Sequence, residues 1–441
     1  EAAAAERDGT LRLAASMPEV EDGDSEKEFW SRPKYSLFSH HLGERLHVAT
    51  FARPSKYVLH LAMSLQRAGG VLNVLGARDD VRPVPAEFQI DDNFRKDINF
   101  KFSYADKDGN THKELGYRRI LFKRLLFLWR LARSLPPNDL LMYVDGDDVL
   151  FQRPLDNVVA TWKDMVSDSP HRQEPVIFMG LPGCSGRFSG DHASVRYPLK
   201  NSKEGLLGAA ACARWRIAQH RGTLPFLDSG GYLGRAHRVK EVLEDAMEFA
   251  RLGLDYICMS TLTVTGIRLG PSKLRIDTEA RLFWSVRPLQ SSNWGNWTPE
   301  ATRPFCGPGY FDSEGRPAAF APTGQTPAVL HFVGPSKWYW LKDCMDSLRQ
   351  QRRLEWEAGG GDGPASRAVA SFCSFQFGAA CPGAECTPLP GLPQAQDCAC
   401  FTCDNAHGNF VYYDLDREQY MTFDLQAFLD LADQGVDFKL E

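Results

Sequence analysis

Three carboxylates stand together at Asp145, Asp147 and Asp148, directly behind the apolar run Leu140-Leu141-Met142-Tyr143-Val144. Charges of one sign that close repel unless something offsets them. An oxygen-preferring divalent cation, Mn²⁺ or Mg²⁺, is the natural counter-charge. In open α/β sheets, ligands bind outside the C-terminal ends of the strands. A cation held there would neutralise a nucleotide diphosphate and stabilise its departure as a leaving group. Asp and Gly are also good turn residues, so an acidic turn is the bland alternative. The position after a continuous apolar strand favours the cation.

Two further segments could do chemistry. Phe226-Leu227-Asp228-Ser229-Gly230-Gly231-Tyr232-Leu233-Gly234 reads as a Gly-rich turn. Glycines there would let the backbone approach a ligand, and Asp228 and Ser229 could hydrogen-bond sugar hydroxyls. Taken alone, a plain turn is the simpler reading. Leu330-His331-Phe332-Val333-Gly334-Pro335-Ser336-Lys337 puts a histidine at the end of an apolar run and a lysine beyond a Gly-Pro. The pair could supply a metal ligand and a phosphate contact, although a lone histidine is more often structural.

The elements needed to position these groups follow from periodicity. Leu46 to Phe51 and Val71 to Leu75 read as strands. Between them, Tyr57 to Ala68 carries apolar residues at helical spacing and ends at Gly69-Gly70. A basic helix spans about Arg118 to Ser134, with Lys123 and Arg124 on it, and stops at Pro136-Pro137. Leu140 to Val144 is a strand apolar on both faces, as a buried parallel sheet requires. Pro175 to Met179 and Ala328 to Leu330 are further strands, and Val239 to Arg251 is a helix. Strand–helix–strand order points to an α/β fold.

Composition sets the limits. The chain has 441 residues, 43% hydrophobic and 24% charged, with a net charge of −5. These values exclude a largely disordered or coiled-coil protein, and the charge offers no reason to expect nucleic acid as a partner. No run approaches the roughly 18–20 apolar residues of a membrane span. There are 11 cysteines. Cys184, Cys212, Cys258, Cys306 and Cys344 are scattered, whereas Cys373, Cys381, Cys386, Cys398, Cys400 and Cys403 crowd together amid Pro and Gly. Such a cluster suggests a disulfide-stapled appendage in an oxidising compartment. Cys400-x-x-Cys403 has no second partner pair, which argues against a zinc module. The sequon Asn296-Trp297-Thr298 would matter only in a secretory protein.

In order, these segments are Thr50 on the first strand, Lys123 on a basic helix, Val144-Asp145-x-x-Asp148, Leu227-x-Ser229-Gly230-Gly231 and His331-x-x-Gly334-Pro335-x-Lys337. This order resembles the GT-A-type glycosyltransferase domain of procollagen lysyl hydroxylases over roughly Leu46 to Leu348. The resemblance implies a GT-A-like, Rossmann-type mixed sheet flanked by helices, with a small Cys-rich C-terminal appendage. It implies a flexible tail at 1–40, the glycosyltransferase domain at 41–356, a Gly-rich linker at 357–372 and a Cys-rich segment at 373–441. Asp145 and Asp148 would be metal ligands with His331 as the third. Thr50 would sit by the uridine, Lys123, Gly334 and Lys337 by the phosphates, and Asp228 to Gly231, with Ser229 and Gly230, by the donor sugar. Asp255 lies where the family carries an acidic cluster, on the acceptor side. Asp277 matches a family strand without an assigned role.

Three departures stand out. Asp147 replaces an aromatic between the aspartates, so Asp145 and Asp147 could form the metal pair instead. Asp228 stands where the family has Asn, and the acidic cluster is reduced to Leu254-Asp255-Tyr256. No iron-binding dioxygenase region follows, so lysyl hydroxylation is not expected. The resulting expectation is a metal-dependent transferase that moves a hexose from a UDP-sugar to a hydroxyl of a protein or glycan in the secretory lumen, or after secretion. For an inverting reaction Asp255 would be the general base, with Asp228 second; for a retaining reaction no such base is required and the departing phosphate could take the proton, and the sequence does not decide between the two. Two other classes compete. One is a haloacid-dehalogenase-type phosphatase with Asp145 as nucleophile and Asp147 as general acid. The other is a non-catalytic binding protein on the same scaffold.

Overall fold

The structure is a computed structural model. It describes residues 37–39, 44–52, 56–76, 103–105, 111–113, 115–167, 174–184, 196–199, 202–218, 222–251, 258–286, 323–333, 341–359, 374–377, 399–402, 409–415 and 419–424. In chain order, β1 (Leu37–Ser39) and β2 (Glu44–Phe51) lead into α1 (Lys56–Arg67) and β3 (Leu72–Leu75). A small hairpin of β4 (Ser103–Ala105) and β5 (Thr111–Lys113) precedes α2 (Leu115–Ser134), β6 (Leu140–Val144), β7 (Val149–Phe151) and α3 (Leu155–Ser167). Next come β8 (Val176–Leu181), the β9 (Arg196–Leu199) and β10 (Ser202–Leu207) hairpin, α4 (Gly208–Ala218), β11 (Phe226–Arg235), α5 (Ala236–Arg251) and α6 (Cys258–Leu269). The chain continues through β12 (Leu274–Asp277), β13 (Phe283–Val286), β14 (Val329–Phe332) and α7 (Lys342–Gly359). It ends with a β15 (Ser374–Phe377) and β16 (Ala399–Thr402) hairpin, then β17 (Asn409–Asp414) and β18 (Gln419–Asp424).

The main sheet is nine-stranded, in the order β12-β8-β11-β6-β2-β3-β17-β18 with β1 laid on β2. β6, β2, β3 and β17 run parallel, and β12 runs parallel to β8. β11 is antiparallel to both of its neighbours, β6 and β8. One reversed strand therefore sits among six that share a direction. A second, three-stranded sheet joins β13, β14 and β7. The fold is a mixed α/β sheet flanked by helices, consistent with a GT-A-like architecture.

Strand alternation feeds two cores, one on each face of the main sheet. From β6, Leu140, Met142 and Val144 pack on one face with α1, α3, α7 and the small sheet. Leu141 and Tyr143 pack on the other with α2, α5 and α6. Each such burial contributes about 1.5–3 kcal/mol. The stop after α1 is local. Gly69 has φ of 87°, and the N–H groups of Gly69 and Gly70 close on Gln66 O and Leu65 O. A left-handed glycine satisfies the last carbonyls of the helix.

The structure corrects one expectation outright. The Phe226 to Gly234 segment is a strand, not a turn. A Cβ on Gly231 would lie 2.7 Å from Met179 Cε, and one on Gly234 would lie 3.0 Å from Val176 Cγ2. These glycines let β11 pack tightly against β8 rather than reverse the chain. The strand expected at Ala328 to Leu330 is β14, in the small sheet. Residues 409–424 fall within the stretch set apart on its cysteine content, yet they extend the main sheet through β17 and β3. The helix expected at Leu425 to Gln434, the sequon and most of the clustered cysteines lie outside the described residues.

Candidate metal centre

The Asp145–Asp148 turn leaves β6 at the edge where the parallel strands end and runs straight into β7. Gly146 holds this turn close to the sheet: a Cβ there would lie 2.9 Å from Thr50 Oγ1 and 2.4 Å from Ala52 Cβ. The reversed direction of β11 brings its Asp-Ser-Gly-Gly to the same edge. Gly231 pairs with Val144, and Asp145 N–H donates to Gly230 O at 2.9 Å. The register of β11 against β8 shifts between Asp228 and Tyr232. Such an irregularity re-aims side chains at a strand end.

His331 arrives from the small sheet. It pairs with Val149 across β14 and β7, and Phe332 N–H donates to Asp148 O at 2.8 Å. Its Nε2 lies 3.2 Å from Asp148 Oδ1 and 3.6 Å from Asp145 Oδ2. One ligand atom from each of these three residues lies within 4.8 Å of the other two. Adjacent ligands of an octahedral cation at about 2.1 Å lie about 3 Å apart. Two carboxylates and an imidazole are also a donor set suited to Mn²⁺. The residues therefore fit a divalent cation. Asp147 is exposed and stays outside the triad, so the neighbour of Asp145 in the cluster is Asp148.

Burial opposes a charge on His331, but Asp228 and Asp148 outweigh it and hold the ring's pKa well above the usual histidine value. Behind the ring, Asp228 Oδ2 lies 3.2 Å from His331 Nδ1. Asp228 also accepts from the Ser285 hydroxyl at 2.7 Å and from Gly230 N–H at 3.0 Å. Burial alone would raise Asp228; His331, Ser285 and Gly230 together pull it down to about 2.

Arg124 closes the other side of the site. It donates to Asp145 Oδ1 at 2.7 Å, to Tyr143 OH at 3.1 Å and to Ser229 Oγ at 3.3 Å. Tyr143 OH donates to the same Asp145 oxygen at 2.5 Å. Burial, partly opposed by Arg124, keeps that phenol protonated well above its ordinary range. Sequence reasoning named Lys123 instead of Arg124. A helical signal was available: Arg124 continues the buried stripe Leu128, Leu131, Leu135 by one turn, whereas Lys123 lies about 100° away. Ser285 had no such signal, because only tertiary pairing brings it to Asp228.

The structure thus brings Asp145, Asp148, His331, Asp228, Ser229 and Gly230 together. Gly231 lies in the adjoining ladder, and Thr50 lies wholly buried beneath Gly146 with no hydrogen-bond partner for its hydroxyl. Lys123 is on α2, but its side chain falls outside the described residues, as do Asp255, Gly334 and Lys337. Asp277 is structural. Its buried carboxylate accepts from the N–H groups of Arg281, Leu282 and Phe283 and shapes the turn before β13.

No family model matches the chain, and a search of curated proteins finds no match either. Among solved structures, the chain is similar to the apo structure of WbbM, a bifunctional glycosyltransferase, with 11% sequence identity and a TM-score of 0.34. The match covers 73% of this chain and 50% of that one, so the chain spans half the length of that neighbour. A mixed α/β protein with an Asp-Asp-His cluster at its sheet edge is the class that fold and geometry define.

Proposed function

We propose that the chain is a metal-dependent glycosyltransferase that moves a hexose from a UDP-sugar to a hydroxyl of a protein or glycan. The observation that carries this is the convergence of Asp145 and Asp148, from the turn between β6 and β7, with His331, from β14, at the edge where the parallel strands of a mixed sheet end. The motif order shared with the glycosyltransferase domain of procollagen lysyl hydroxylases supports the same reading. Asp145, Asp148 and His331 would hold Mn²⁺ or Mg²⁺. A cation there offsets the charge of a departing nucleotide diphosphate.

The chain's own groups do the rest by positioning and electrostatics. Thr50, buried beneath the Gly146 turn, would support the uridine side of the site from below rather than touch the base. Arg124, with Lys123 and Lys337, supplies positive charge beside the phosphates, and Gly334 gives the backbone room to approach them. Ser229, Gly230 and Gly231 border the donor sugar. Asp255 is the general base of an inverting reaction. Asp228 does not serve in that role, because it is buried behind His331 with both oxygens engaged. The disulfide Cys184–Cys212, and a Cys344 that is also disulfide-bonded, support a lumenal or secreted location. Among the described residues, no helix is long and apolar enough to cross a membrane.

The phosphatase alternative needs Asp145 free as a nucleophile and Asp147 beside it. Asp145 Oδ1 is instead held by Arg124 and Tyr143. A UDP-release assay across a panel of UDP-sugars, with Mn²⁺ or Mg²⁺, tests the proposal. One UDP-sugar should release UDP in a cation-dependent way, faster with a hydroxyl acceptor. Release of phosphate from phosphomonoesters without use of any UDP-sugar would overturn it. UDP binding without turnover of any donor would point to the binding protein instead.

A further inference from the structure

We propose that Asp228 is a positioning residue for the cation: it holds the His331 ring so that Nε2 faces the site, and thereby sets a preference for Mn²⁺ over Mg²⁺. The inference rests on the reading of Asp145, Asp148 and His331 as a cation site.

Three observations converge. Asp228 is 4% exposed and His331 3%, so neither contact is diluted by water. Asp228 Oδ2 stands 3.2 Å from Nδ1 on the face of the ring opposite Asp148, where Nε2 lies 3.2 Å from Oδ1. Among the described residues, Nδ1 has no other hydrogen-bond partner, so the ion pair with Asp228 is what fixes this side of the ring. Asp228 is itself fixed from two sides, by the Ser285 hydroxyl on β13 and by Gly230 N–H on its own strand. A carboxylate behind a ligating histidine keeps the proton on the far nitrogen, aims the near nitrogen and raises its basicity. Loss of such a group costs roughly 10- to 100-fold in metal affinity.

Selectivity follows from donor chemistry. Mg²⁺ is a hard ion that takes oxygen ligands and keeps several waters. Mn²⁺ shares the preference for carboxylates but, as a softer first-row transition ion, accepts an imidazole nitrogen more readily than Mg²⁺ does. The nitrogen of His331 is therefore the donor that separates Mn²⁺ from Mg²⁺, and Asp228 keeps that nitrogen in place. Asp145 and Asp148 alone would serve both ions.

The test uses the full chain, with Mn²⁺ titrated by electron paramagnetic resonance and Mg²⁺ measured by competition. The ¹⁴N coupling of bound Mn²⁺ reports the histidine directly. In the wild type, Mn²⁺ should bind more tightly than Mg²⁺ and show that coupling. Asp228→Asn, nearly isosteric, should weaken Mn²⁺ roughly 10-fold or more, leave Mg²⁺ within about threefold and reduce the ¹⁴N coupling. Ser285→Ala, which leaves the carboxylate in place but frees one side of it, should shift the preference the same way by less. Unchanged Mn²⁺ affinity and ¹⁴N coupling in Asp228→Asn would overturn the inference and leave the proposed function standing. Equal weakening of both ions would mark Asp228 as merely structural and overturn it too. A wild-type chain that binds neither ion would remove the cation site, and the proposed function with it.

Discussion

A Cβ added to Gly230 would lie 2.0 Å from Cε1 of the His331 ring and 2.5 Å from Nδ1. The smallest residue of β11 is thus what admits the histidine of β14 to the sheet edge. The obstructing atoms belong to a buried ring between Asp228 and Asp148, not to the free end of a flexible side chain. The ring cannot give way without leaving its carboxylates.

Gly230→Ala is therefore expected to displace His331 rather than to be absorbed. Overpacking of this kind costs about 1–3 kcal/mol of stability. Removing the third ligand should weaken Mn²⁺ binding by more than about tenfold. Denaturant unfolding and a Mn²⁺ titration measure the two effects. A variant that keeps wild-type Mn²⁺ affinity would show that His331 does not contribute a ligand.

Arg124 and a cation compete for the same carboxylate: Arg124 holds Asp145 Oδ1, and Oδ2 faces His331 Nε2. Arg124→Met removes a guanidinium 2.7 Å from Asp145 Oδ1 and keeps most of the apolar stem. Without a cation, the variant should be less stable by about 1–3 kcal/mol, because a part-buried carboxylate loses its charged partner. With a cation, the missing positive charge should tighten Mn²⁺ binding about threefold to tenfold. The thermal upshift on adding Mn²⁺ should therefore be larger in the variant than in the wild type. An upshift equal to or smaller than that of the wild type would show that Arg124 and the cation do not compete.

Neighbouring aspartates should separate cleanly. Asp148→Ala removes a ligand that faces His331 Nε2 and should abolish Mn²⁺-dependent UDP binding. Asp147→Ala alters an exposed group outside the triad, and such surface changes stay within about 0.5 kcal/mol, or roughly twofold in affinity. Calorimetric titration of UDP at saturating Mn²⁺ reads both. If Asp147→Ala were the damaging change, the metal pair would be Asp145 and Asp147.

How much was legible follows from what each residue packs against. β6 and β8 are buried on both faces and read as unbroken apolar runs, β2 and β3 are buried but break the run with His47, Thr50 and Asn73, and Gly69 marks the stop of α1 through its own backbone. β11 was hidden because its glycines answer to side chains on β8 and β13 that only the folded sheet brings near. β17 and β18 lie far along the chain from β3, and no local pattern announces that pairing. The two aspartates could be read because they follow directly on a strand. His331, at the end of its apolar run, could be suspected as a ligand, but its place beside the two aspartates could be read only from the order of motifs, since the β14–β7 ladder that delivers it joins segments about 180 residues apart. Asp228 was read as a sugar contact or a general base because its partner His331 stands 103 positions away in the sequence. Its burial in a charged pocket is a tertiary fact.

The opposite edge of the sheet carries a different charge cluster, with a pH signature of its own. Arg235, at the end of β11, donates to Glu44 Oε2 at 2.5 Å, to Glu174 Oε2 at 2.7 Å and to Asn138 O at 2.6 Å, and it lies over the Trp162 ring. Lys163 adds a contact to Glu44 at 3.1 Å. Burial pushes the Glu44 carboxyl up, but Arg235 and Lys163 together pull it below its ordinary value of 4.5. A carboxylate held lower in the folded chain than in the unfolded one contributes stability above the unfolded value. That contribution is lost as pH falls below 4.5 and through the folded value. Glu44→Gln should therefore be less stable than the wild type at pH 7, by about 1–3 kcal/mol. The gap should close in acid, once pH has fallen below the folded value and both chains carry a neutral group at this position. Urea unfolding at pH 7 and across a falling pH series measures it. A gap that persists unchanged in acid would mean that Glu44 acts through shape rather than charge. Because this cluster sits at the far end of the strands from Asp145, Mn²⁺ affinity at neutral pH should be the same in both chains.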